Sequence, residues 1–151
     1  MPNITYSPLH FNDRLLISLV GPCFGRIKIT SLLIPERIEN GTEDSVILDC
    51  IYTLDENDDN KLVVKWFLDN DPEPIYQWIP EYESRQPSKR LQGRINMNFA
   101  VSANSRFTKY RAINIIRPST DISGTYSCHV MSLTSEDSKE KKMIVYGMFC
   151  H

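Results

Sequence analysis

The chain has 151 residues, of which 41% are hydrophobic and 24% charged, with a formal net charge of -2. That length allows one domain with a real core and is short for two. The slightly acidic balance argues against a nucleic-acid binder, which would need a basic face, and no stretch reaches the roughly twenty apolar residues that span a bilayer.

In chain order, residues 1–25 read as a leader or disordered extension. Leu15-Leu16-Ile17-Ser18-Leu19-Val20 follows Arg14, and Cys23-Phe24-Gly25 could serve as a cleavage triplet, as in a signal peptide with a short apolar region. The alternating pattern then predicts strands at 26–33, 45–52, 62–68, 75–79, 94–101, 112–116, 124–131 and 141–146. Pro35 interrupts after the first, which suits a kinked edge strand. In the third, Leu62, Val64, Trp66 and Leu68 face inward and Val63, Lys65 and Phe67 outward. Residues 55–60 read as a polar loop, and 81–93 as irregular chain with room for a weak edge strand. In 94–101, Ile95, Met97, Phe99 and Val101 take one side, and Asn96, Asn98 and Ala100 the other. Lys139, Lys141 and Lys142, interleaved with Glu136, Asp137 and Glu140, read as a solvated loop. The domain is expected over 26–147, with 148–151 as a tail.

Four residues on these strands stand in an informative order. Cys50 lies in the second, Trp66 follows in the third, and Tyr126 precedes Cys128 by two positions in Ser123-Gly124-Thr125-Tyr126-Ser127-Cys128. That order resembles the immunoglobulin signature. The fold class it implies is all-β, an immunoglobulin-like two-sheet sandwich. The extra strand between Trp66 and Arg94 makes it the variable type. The resemblance also implies a Cys50–Cys128 bridge, Trp66 packed on it, and a Tyr126 hydroxyl bonded back to the preceding corner. Closing so long a loop stabilises by about 4–5 kcal/mol in the chain-entropy model. Many variable domains also pair an arginine with an aspartate six residues before the second cysteine. Arg94 fits the arginine, but Ile122 stands at the aspartate position and Asp121 is the nearest acid. That departure puts the usual ion pair in doubt.

Disulfide spacing points to an oxidising compartment, hence an extracellular, secreted or cell-surface protein. Asn40-Gly41-Thr42 is a glycosylation sequon in an expected turn, and Asn3 is a second candidate if the leader is retained. No bond is expected between Cys23 and Cys150, which should lie at opposite ends of the sandwich.

No catalytic, cofactor or metal site is expected. His10 and His151 lie in the terminal segments, and His129 beside Cys128 points the other way on a strand. The acidic run 55–60 begins like a calcium loop, but Asn60 replaces the sixth-position glycine and Trp66 the twelfth-position glutamate. An exposed acidic loop is the better account. Cys150-His151 is too small a set for zinc.

Val64-Lys65-Trp66-Phe67, Ile75-Tyr76-Gln77-Trp78-Ile79-Pro80 and the run ending at Cys128 together resemble the first immunoglobulin domain of the insect Beaten path family. That resemblance implies a neuronal recognition protein, secreted or membrane-anchored, that binds partners of the Sidestep family. Members normally continue past this domain, so it also implies a fragment or truncated gene product. The expected function is recognition of another immunoglobulin-type cell-surface protein, or of a second copy. Contact is expected through outward front-sheet residues Phe67, Trp78, His129 and Met131, joined by Val63 and Tyr76, while Asn96 and Asn98 mark a solvated back sheet. The alternatives are a soluble immune-type binder of small or carbohydrate ligands, using its loops, and a structural spacer with reduced cysteines.

Overall fold

The computed structural model describes residues 26–56, 58 and 61–148. The leader assigned to 1–25, with Asn3 and Cys23, lies outside the described residues, as do Cys150 and His151.

Among the described residues, nine strands form two sheets. They are β1 Lys28–Leu33, β2 Arg37–Glu39, β3 Ser45–Thr53, β4 Val63–Leu68, β5 Tyr76–Ile79, β6 Ser84–Pro87, β7 Ile113–Ile116, β8 Gly124–Met131 and β9 Glu136–Tyr146. The back sheet runs β1-β3-β7 and the front sheet β2-β9-β8-β4-β5-β6. All pairs are antiparallel except β2 with β9. Pro35, between β1 and β2, cannot donate a ladder hydrogen bond, and here the chain crosses from back sheet to front. The fold is an immunoglobulin-like sandwich of the variable type.

The core forms where the inward rows of the two sheets meet. Leu48 and Cys50 on β3 and Ile113 and Ile115 on β7 face Val64, Trp66, Tyr126 and Cys128 of the front sheet, all buried. Cys50 and Cys128 are bonded, with Cα atoms 6.4 Å apart. The buried Trp66 donates its indole N–H to the Arg111 carbonyl at 2.8 Å, which satisfies its one polar atom. The Tyr126 hydroxyl donates to the Ile122 carbonyl at 2.5 Å, and burial pushes its pKa up. On the outer back sheet, Arg111 grips Asp49 through two nitrogens at 2.8 and 3.2 Å, with both side chains only 14% exposed.

Three expectations need correction. The strand expected at 94–101 reduces to one bridge, Ile95 to Ile115. The Asn98 N–H turns to the Asn96 side chain at 3.0 Å and the Phe99 N–H to the Asn96 carbonyl at 3.2 Å, so a local turn replaces the ladder. Asn96 stays at the edge of the back sheet, its N–H donating to the Asn114 carbonyl at 2.9 Å, whereas Asn98 lies in the turn and is no face of that sheet. Its outer side instead exposes Leu33 and Ile47, at 51% and 46%. Second, residues 136–140 are strand, because β9 pairs with β8 along its whole length and the charged alternation follows the pleat. Third, the acidic loop is not wholly solvated, since Asp58 is buried. The ion pair that the sequence left open forms at the corner: Asp121, in the turn Thr120–Ile122, meets Arg94 at 2.5 Å. Ile122 beside it enters the core. The Arg94 hydrogen bond, helped by Ser119, holds the Asp121 carboxyl below its ordinary pKa.

Candidate functional site

The outward face of the front sheet is built by the registers of β4, β5, β8 and β9. Cross-strand partners share a face. Val63 lies opposite Met131 and Lys65 opposite His129, all half-buried and outward. Phe67 completes the outward row of β4, and its ring meets the His129 imidazole edge to face with centroids 4.8 Å apart. His129, Met131 and Glu136 line a shallow hollow of about 320 Å³ on the β8–β9 side. Three of the four expected contact residues, Phe67, His129 and Met131, thus lie together.

Trp78 does not join them. It is opposite Val64, and Tyr76 is opposite Trp66, so both aromatics share the inward face. Trp78 is only 2% exposed and packs edge to face on Tyr110, with centroids 5.9 Å apart. The Tyr76 hydroxyl donates to the Tyr110 carbonyl at 3.0 Å. The outward residues of β5 are instead Gln77 and Ile79, both half-buried. The correction follows from register: once Trp66 faces the disulfide, its neighbours on β5 must face inward too.

The same face carries residues not singled out from the sequence. Ile144 and Tyr146 on β9 are exposed, and the Arg37 guanidinium lies 5.3 Å from the Tyr146 ring. The alternation around buried Met143 and Val145 was the available signal. Charge across the face is mixed, with Lys65 and Lys142 among Glu136 and Glu140.

At one end of the sandwich, the β3–β4 and β8–β9 loops are locked together. The Asp58 carboxylate accepts hydrogen bonds from the hydroxyls of Ser132, Thr134 and Ser135 at 2.9, 2.7 and 2.8 Å. Leu133, at the tip of that hairpin, is 75% exposed. At the opposite end, Asn40 is exposed in the β2–β3 turn, its N–H donating to the Tyr146 carbonyl at 2.8 Å. No group of histidine, cysteine and acidic side chains capable of holding a metal occurs among the described residues.

The sequence profile of the CD47 immunoglobulin-like domain matches residues 40–148, more than half of the chain. The chain belongs to this V-set immunoglobulin family. Among solved structures, the chain is similar to the human B7-H4 IgV-like domain. The two share 15% identity at a TM-score of 0.55, over 81% of this chain and 98% of that one. At that identity the likeness concerns the fold alone. No curated protein sequence matches the chain. V-set domains are generally non-enzymatic, typically extracellular or cell-surface, and generally mediate protein–protein interactions. No helix among the described residues is long and apolar enough to cross a membrane.

Proposed function

We propose that this domain is an extracellular recognition module that binds another immunoglobulin-type protein, or a second copy of itself, through its front sheet. The observation that carries the proposal is the contiguous half-buried surface of Val63, Phe67, His129 and Met131 across β4 and β8. Aromatic and methionine side chains of this kind are enriched at interface cores. The back sheet is a poorer candidate. Its outer side is interrupted by the Asp49–Arg111 ion pair, and Leu33 and Ile47 expose apolar area only beside it. The resemblance to Beaten path supports an immunoglobulin-type neural partner, and the Cys50–Cys128 bond suits an oxidising compartment. A glycan at Asn40 belongs to the same proposal.

The test is binding of the multimerised domain to cells displaying single immunoglobulin-type ectodomains, with self-association followed by sedimentation. Phe67→Asp should weaken association by about thirtyfold or more, the effect of losing a hot spot. Because Phe67 is half-buried beside His129, the variant should lose only about 1 kcal/mol of stability. Ile47→Asp, on the back sheet, should bind as the parent does. Equal loss from Ile47→Asp would overturn the front-sheet assignment.

A further inference from the structure

A hollow of about 520 Å³ lies between the β5–β6 turn and the loop 103–110, away from the outward face of the front sheet. We propose that it binds an acidic sugar, a saccharide carrying a carboxylate or a sulfate. Its volume is within the range of about 300–1,000 Å³ usual for small-molecule sites. Trp78 and Tyr110, packed edge to face, contribute aromatic lining.

Three cations line the hollow: Arg85 from β6, and Arg106 and Lys109 from the loop. None of them is in a salt bridge among the described residues, although Lys61, Arg94 and Arg111 all are. In a chain of net charge -2 that concentration of unneutralised positive charge invites an anion. Arg85 and Lys109 are also held in place. Arg85 donates to the Tyr76 hydroxyl at 3.1 Å and to the Met97 carbonyl, and its guanidinium lies 3.7 Å from the Tyr110 ring centroid. The Lys109 ammonium lies 5.0 Å from the same ring. The loop itself is pinned, with the Tyr52 hydroxyl on the Phe107 carbonyl at 2.5 Å and the Val101 N–H on the Lys109 carbonyl at 2.9 Å. Little ordering therefore remains to be done on binding.

Glu83 separates a sugar from an acidic peptide. It lines the same hollow, from a left-handed backbone position with φ of 49°. That position ends the turn Pro80–Tyr82, where the Glu83 N–H donates to the Pro80 carbonyl at 3.1 Å and fixes the place of the side chain. A carboxylate there accepts hydrogen bonds from sugar hydroxyls, donors that a chain of glutamates lacks.

The test is titration calorimetry at low ionic strength with a heparin-derived tetrasaccharide, sialyllactose, lactose and hexaglutamate. At least one acidic saccharide should bind saturably with a Kd of about 1 mM or tighter. The double variant Arg106→Ser/Lys109→Ser, at exposed and half-exposed positions, should melt as the parent and bind that saccharide at least about tenfold more weakly. Lys139→Ser/Lys142→Ser on β9 should bind it unchanged. Binding of sialyllactose shows that a single carboxylate suffices, and binding of the tetrasaccharide alone assigns the ligand to the sulfated, multiply charged class. The proposal is overturned by hexaglutamate or lactose binding as tightly, by failure of both acidic saccharides, or by a smaller loss in the first double variant.

Discussion

The carboxylate of Asp58 and the hydroxyl of Ser135 lie 2.8 Å apart and join two loops whose residues are 77 positions apart in the chain. Ser132 and Thr134 donate to the same carboxylate oxygen, while its second oxygen accepts the Asp55 N–H at 3.1 Å. A buried carboxylate costs free energy unless its lone pairs are filled, and here they are. Burial raises the Asp58 pKa, but the hydrogen bonds from Thr134, Ser135, Asp55 and Ser132 together outweigh it and hold the group below its ordinary value.

Asp58→Ala should therefore cost about 1–3 kcal/mol, the range for stranding buried hydrogen-bonding partners. Its local mark should be faster hydrogen exchange at the amides of Thr134 and Ser135, both now bonded to the Ser132 hydroxyl. The sign of the pH dependence is fixed by the depressed folded pKa. The contribution is present above the unfolded carboxyl value of about 4 and is lost as pH falls through the folded value. The stability difference between parent and variant should be flat from about pH 5 to 8 and shrink below about pH 4. A difference that grows in acid, or is missing at neutral pH, would contradict this account.

Glycosylation is expected at Asn40 when the chain passes through a secretory pathway. The side chain is exposed in a turn where Gly41 takes φ of 84° and the Thr42 hydroxyl donates to the Glu39 carbonyl at 2.8 Å. β3 runs from this end to the loop holding Asp58, so a glycan here leaves the opposite end of the sandwich open. Protein secreted from animal cells should lose mass on glycosidase treatment, and Asn40→Gln should abolish that shift. Secreted protein without any shift would refute the assignment.

How much of this was legible in the sequence follows from what each signal encodes. Cys50, Trp66, Tyr126 and Cys128 report the inter-sheet core, because each has one demanding partner, and their spacing specified the sandwich. Alternation placed Val63 and Phe67 outward correctly, since inward Trp66 anchors the phase of β4. On β5 no comparable anchor exists, and Trp78 looked like an exposed aromatic until its pairing with Val64 was known. The pattern at 94–101 alternates as a strand should, yet the Asn96 side chain bonds local backbone and pulls the chain from the sheet. Asp58 was unreadable for a similar reason. Its partners come from a distant hairpin, and an acidic run by itself suggests only solvent. The cationic hollow likewise gathers Arg85 with Arg106 and Lys109 through tertiary packing alone.

Gly124 offers the sharpest local test of the corner leading into β8. A Cβ there would lie 2.8 Å from the Leu68 side chain and run into the Asp69 carboxylate. Leu68 is fully buried and faces the core, so it has little room to yield. Asp69 is exposed and could swing aside, but its carboxylate accepts the Thr125 N–H at 3.1 Å and its own N–H donates to the Thr125 carbonyl at 2.7 Å. Moving the side chain would break its bond to the Thr125 N–H, one of the two that join the end of β4 to the start of β8. Gly124→Ala should therefore lower the free energy of unfolding by about 1–3 kcal/mol, the usual cost of overpacking. Adding Asp69→Ala should make the glycine substitution less costly without making it neutral, because Leu68 still obstructs. Urea denaturation of the parent, both single variants and the double variant measures this coupling. A Gly124→Ala protein as stable as the parent would show that the β4–β8 corner opens freely and that the glycine is not required by this close approach.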